Sequence, residues 1–174
     1  GLVEAIPDET ILALADPEDR NGDGIRGRAA AVEDVPTGRK RIGRVGWKAQ
    51  HATLLTFAAD AYLNEMGITN DLFTSEAFGN VHEEKLSSTC RAVQKIEDIR
   101  DRRTGRRGID NFESFLKFLA PPARGPVSAA AARGEAVFTE IGCASCHVPQ
   151  LTTGPNANPL FDRKPVPLFS DLLL

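Results

Sequence analysis

The stretch "GCASCHVP", Gly142–Pro149, decides how the whole chain is read, because it holds two of the chain's three cysteines. Cys143 and Cys146 stand two residues apart and run straight into His147. Thiols at that spacing lie about one helical turn apart, so both face the same side of a short turn, with an imidazole next to them. Upstream, Ser128 to Ile141 reads as a helix with Ala130, Gly134, Val137, Phe138 and Ile141 inward, and Gly142 ends it just before Cys143.

Three chemistries use such a set. A structural zinc site needs four ligands, and the remaining Cys90, His51 and His82 form no second clustered pair. A thiol–disulfide redox motif normally follows a strand in a βαβ pattern, which the sequence lacks; it stands as an alternative reading. Covalent attachment of haem uses every member: each thiol adds to a vinyl group on one edge of the macrocycle, and His147 supplies a strong axial nitrogen to the iron. The other ring nitrogen of His147 is expected to donate to a backbone carbonyl, which sets its orientation and basicity.

Composition agrees with a globular protein. A hydrophobic fraction of 41% against a charged fraction of 26% supports a packed core rather than disorder. In 174 residues there is room for one sizeable core, or for two small helical modules joined by a linker. The net charge of -3, with both signs interspersed, gives no reason to expect nucleic acid or an anionic membrane as partner. No apolar run reaches the length of a membrane span. The chain closes on "PVPLFSDLLL" without a polar tail, and we expect a fragment of a larger protein.

Outward from the motif, the fold is expected to be mainly α with long irregular loops. A short helix in "IPDETILALADPED" is capped by Asp8 or Thr10, carries Ile11, Leu12 and Leu14, and breaks at Pro17. From Trp47 to Met66 the stripe Leu55, Ala59, Tyr62, Met66 marks one buried helix face, with Gly67 suited to the left-handed residue past its end. "IDNFESFLKFLAPP" reads as a further helix, with Asp110 and Glu113 placed for a capping box and Pro121-Pro122 as the stop. "ARGPV" is the expected linker between residues 1–122, packing on the cofactor, and residues 127–174, the attachment module. No segment alternates convincingly enough for a multi-stranded sheet.

Two resemblances follow from the quoted residues. The run "GEAVFTEIGCASCH", Gly134–His147, resembles the first helix and haem-attachment site of class I c-type cytochromes. The segments "ADPEDRNGDGIRGR", "RIGRVGWKAQHATLLTFAADAYLNEMGIT", "FLKFLAPPARGPV" and "GCASCHVPQLTTG" occur in this order in the di-haem oxidoreductases often called thiol oxidoreductases, relatives of bacterial di-haem cytochrome c peroxidases. The resemblance covers most of the chain and implies a cytochrome c-like helical fold and haem c. It further implies electron transfer, peroxidase-like redox catalysis, a second haem domain or redox partner protein, and export to the periplasm. Family members carry two attachment motifs, and this sequence holds one. A non-catalytic electron carrier is the competing reading.

Other residues have two readings each. Met66, the single methionine, is a possible distal iron ligand or a core filler. His51, about 22 Å away along the same expected helix, cannot share its coordination site. Asp19, Asn21 and Asp23 in "DRNGDG" have the alternating oxygens of a calcium loop, but Ala30 stands where an EF-hand carries its last acid. They form either a calcium site completed by other oxygens or a plain glycine-rich turn. Trp47 is a packing residue, or an aromatic conductor of the kind the resembled peroxidases place between haems; Arg41 and Arg44 are solvated or pair with haem propionates. Arg100, Arg102, Arg103, Arg106 and Arg107 form either a solvated loop or a docking patch for an acidic partner. His82 reads as exposed, and Cys90 is left unpaired.

Overall fold

The computed structural model describes residues 1–75 and 96–174. His82 and Cys90 lie outside the described residues. In chain order the elements are α1 (Asp8–Leu14), β1 (Ala31–Asp34), β2 (Arg39–Ile42), α2 (Leu54–Met66), α3 (Gly108–Phe118), α4 (Ala129–Glu140), a 3₁₀ turn (Cys143–Ser145), β3 (Leu151–Thr152) and β4 (Pro165–Val166). The expectation of a mainly α fold is corrected: among the described residues four helices make the structure about 30% helical, and two antiparallel ribbons join them. Both ribbons escape sequence reading for physical reasons. The β1–β2 pair runs Ala31 opposite Ile42 to Asp34 opposite Arg39, with charged, mostly exposed residues that show no apolar alternation. The β3–β4 pair is only two residues long on each side.

The principal core cluster joins the two ends of the chain. Ile6 and Ile11 from the α1 region pack with Leu151 and Val166 of the second ribbon, and Leu168, Leu172 and Leu173 lie against them. Backbone bonds lock the same surfaces: Gly154 N–H donates to Ala5 O at 2.9 Å, and Arg28 and Leu174 exchange bonds of 2.9 and 2.8 Å. Gly154 has to be glycine, since a Cβ there would stand 2.9 Å from Pro7 Cγ.

Helix α1 forms where expected, but neither expected cap acts as one; Pro7 takes the N-cap position without a side-chain bond. The Asp8 carboxylate instead accepts from the Ile42 amide at 3.2 Å and from Arg44. Arg44 is 4% exposed and spends its guanidinium on Asp8 and the carbonyls of Ile6 and Ile42. It is therefore a buried clasp between α1 and the first ribbon, and not a solvated residue.

The start of α2 is also corrected. It begins at Leu54, capped by the Thr53 hydroxyl, and not at Trp47. Gly46 and Ala49 both have positive φ, so "GWKAQ" is a turn despite its apolar residues. The end is as expected, with Gly67 left-handed at φ 68. Helix α3 starts at Gly108, with Asp110 accepting from the Arg107 amide at 2.8 Å. The carboxylate that caps its first amides comes from outside: Asp98 accepts from Gly108 at 2.6 Å and Ile109 at 3.0 Å. Helices α2 and α3 pack together, with Tyr62 edge-on to Phe112 at 5.2 Å.

Asp34 ties these parts together. It is 2% exposed and accepts from Thr37 at 2.6 Å, in the ribbon turn, and from Thr53 at 2.9 Å, the cap of α2. Burial pushes its carboxyl up, but the hydroxyls of Thr37, Thr53 and Thr56 outweigh burial and hold it below the usual carboxylate range. A depressed folded-state value means this stabilisation is complete above about pH 4 and lost as pH falls through the folded value. Asp34→Ala should cost about 2 kcal/mol, because it takes the carboxylate partner from the buried Thr56 and half-buried Thr53 hydroxyls. In urea melts at decreasing pH, the acid loss of stability should be shallower in Asp34→Asn than in the parent.

Candidate haem-attachment site

Helix α4 leads directly into the motif. Ser128 caps it, its hydroxyl accepting from the Ala131 amide at 3.1 Å, and Gly142 turns the chain out of it at φ 87. Only glycine adopts that backbone readily, so the thiols begin immediately after the helix stops. The 3₁₀ turn is closed by the His147 amide donating to Cys143 O at 2.9 Å. Cys143 is half-buried and Cys146 exposed, and both are free thiols.

His147 has a defined tautomer. Its Nδ1 lies 3.1 Å from the carbonyl oxygen of Phe169, which can only accept, so Nδ1 carries the hydrogen. In the neutral ring Nε2 then keeps its lone pair, available to a metal. Phe169 is the backbone partner that sequence reading could not name, since nothing local links residues twenty-two apart. The Asp171 amide also donates to Cys146 O at 2.9 Å. The segment 167–173 is thus a strap under the motif, and Phe138 of α4 lies 6.2 Å from the His147 ring.

Apolar surface around the motif lacks cover. The expected inward face of α4 is corrected, because the helix has no buried residue; Val137 is 49% and Ile141 68% exposed. A groove of about 530 Å³ opens beside the strap, lined by Leu2, Val3, Leu116, Leu119, Arg124 and Leu168. A helix whose only half-buried side chain is Phe138, next to two free thiols and an imidazole lone pair, fits a large apolar group tethered at the turn. The donor set and the bare surface agree with haem.

The remaining expected site residues are placed as follows. Met66 ends α2, which packs on α3, and is 50% exposed; it does not fill the core. His51 lies before α2, its Nε2 3.3 Å from Asp60. Asp19 accepts from the Gly24 amide at 3.1 Å, Asn21 donates to Asp23 at 2.9 Å, and Asp23 accepts from the Ile25 amide at 2.8 Å. Asp16, missed from sequence, accepts from the Arg20 amide at 2.8 Å, and that bond first of all holds its carboxyl below the usual range. Its signal was the Asx-turn chemistry of an acid at a loop entrance. Among the described residues no three His, Cys, Asp or Glu side chains converge as a metal site.

Trp47 is 93% exposed, so it is not a packing residue. The arginine run is only partly a solvated loop: Arg107 is 7% exposed and bonds Asp71 and Asp110, while Arg106 donates to Asn111 at 2.8 Å.

Comparison with known families decides the relationship. The family described as "Di-haem oxidoreductase, putative peroxidase" matches residues 1–174. This chain belongs to the di-haem oxidoreductase family. Its cofactor class is therefore haem, in agreement with the donor set around His147. No curated protein and no solved structure matches the chain. No helix among the described residues is long and apolar enough to cross a membrane.

If haem covers the bare face of α4, the haem-free chain should enhance anilinonaphthalene sulfonate fluorescence strongly and the haem-loaded chain several-fold less. Equal enhancement in both forms would mean that this surface stays open.

Proposed function

We propose that the chain is a c-type cytochrome region of a di-haem oxidoreductase, holding haem through thioethers at Cys143 and Cys146 with His147 as proximal ligand. One observation carries the reading. The Phe169 carbonyl occupies Nδ1 of His147 and leaves Nε2 free beside two unpaired thiols. When bound, the haem supplies reversible one-electron chemistry at iron, and a site for peroxide where the distal position is open.

The residues of this chain do the rest. Cys143 and Cys146 fix one edge of the group on a turn closed by its own backbone bonds. His147 is held against rotation by its carbonyl partner, which also strengthens its donation to a metal. Covered by the haem, Val137 and Ile141 would exclude water from one side of it, which shifts a redox centre by lowering the local dielectric. Met66 is our candidate for the distal ligand, since its thioether is half-exposed and not packed away.

We place the protein in the periplasm or otherwise outside the bacterial cytoplasm, where c-type attachment is completed in the families it resembles. Its electrons are exchanged with a second haem domain or a redox partner protein. Residues 1–122 act in this reading as the support on which the attachment module 127–174 rests.

In protein matured by a c-type attachment system, acid-butanone extraction should leave the haem on the parent chain, and Cys143→Ala/Cys146→Ala should retain none. Haem extracted from the parent would overturn the covalent reading. A reduced spectrum shifted by carbon monoxide, together with peroxide turnover, is expected for the enzyme; inertness to both would make the chain an electron carrier.

A further inference from the structure

Phe169 does more than lend its carbonyl. Its φ is 54, in the left-handed region, where a bulky side chain is disfavoured and stays only if its surroundings over-determine it. Two groups contact the ring of this residue, which is 37% exposed. Phe138 meets it edge-on at 6.2 Å and 81°, and the Arg124 guanidinium carbon stands 5.5 Å from its centroid. The backbone is pinned on both sides, by Leu168 N–H to Val166 O and by Asp171 N–H to Cys146 O, each 2.9 Å. With the flanks so held, the carbonyl oxygen faces Nδ1 of His147.

We propose that Phe169 and Arg124 are positioning residues for the haem iron: the contacts of the Phe169 ring with Phe138 and Arg124 maintain the strained backbone whose carbonyl anchors His147, and thereby keep the reduction potential low. The inference rests on the haem reading above. A hydrogen bond at Nδ1 makes the imidazole a better donor, which favours the ferric state. Without these contacts, Phe169 relaxes to negative φ, its carbonyl turns away, and the potential rises. Arg124 acting only as a nearby positive charge has the opposite effect: a cation disfavours the ferric state, so its removal lowers the potential. The sign of the shift therefore separates positioning from simple charge.

The test is a spectroelectrochemical titration of the mature haem-loaded protein. Phe169→Ala and Arg124→Gln should both move the midpoint upward, and Phe169→Tyr should leave it in place. Phe169→Gly should move it less than Phe169→Ala, because glycine takes positive φ without strain. Arg124 is exposed, so its variant folds and decides the matter even if Phe169→Ala does not. A downward or absent shift in Arg124→Gln, or an unmoved midpoint in Phe169→Ala, overturns the proposal while the haem reading stands. A parent protein without a haem spectrum fails at the earlier step and removes the basis for both.

Discussion

The bond from His147 Nδ1 to the Phe169 carbonyl is the constraint on which the rest of the site depends. It joins the attachment turn to a strap twenty-two residues further along, and it holds only if the strap is itself fixed. Most of what fixes the strap lies at the other end of the chain. Leu168, Leu172 and Leu173 pack on the Ile6 and Ile11 core, and Leu174 pairs with Arg28. The first forty residues thus belong to the support of the motif, though they contribute no ligand to it.

A second layer of buried polar contacts orients that support. Arg44 and Asp8 join α1 to the first ribbon, and Asp34 joins the ribbon turn to the cap of α2. Such groups are costly to bury unless every partner is present, so they favour one arrangement of short elements that have little apolar surface of their own. Between α2 and α3, Asp98 and Arg107 work in the same way, the first on helix amides and the second on Asp71 and Asp110.

What could be read from sequence was local. The bounds of α4 followed from Ser128 and Gly142, and the end of α2 from Gly67, because caps and left-handed residues act within a few positions. The start of α3 fell within one residue of Ile109, but its capping box was expected at Asp110 and Glu113. Asp110 instead pairs with Arg107, and a further capping carboxylate, Asp98, is ten residues upstream in an irregular segment. The ribbons were missed because "RKRI" pairs through its backbone and leaves charged side chains in solvent. The error over α4 is instructive: its apolar periodicity was real, yet none of its residues is fully buried, and only Phe138 is half-buried, against His147 and Phe169. The thiols and imidazole of the motif were legible by spacing alone, whereas Phe169, Arg124 and the strap depend on long-range packing that spacing cannot encode.

The most direct measurement is the intact mass of the chain under denaturing conditions, after expression with a working c-type maturation system. The account predicts a mass one haem greater than that of the amino acids, with the Soret absorbance travelling with the denatured chain. A mass equal to the amino acids alone, from colourless protein, would contradict it.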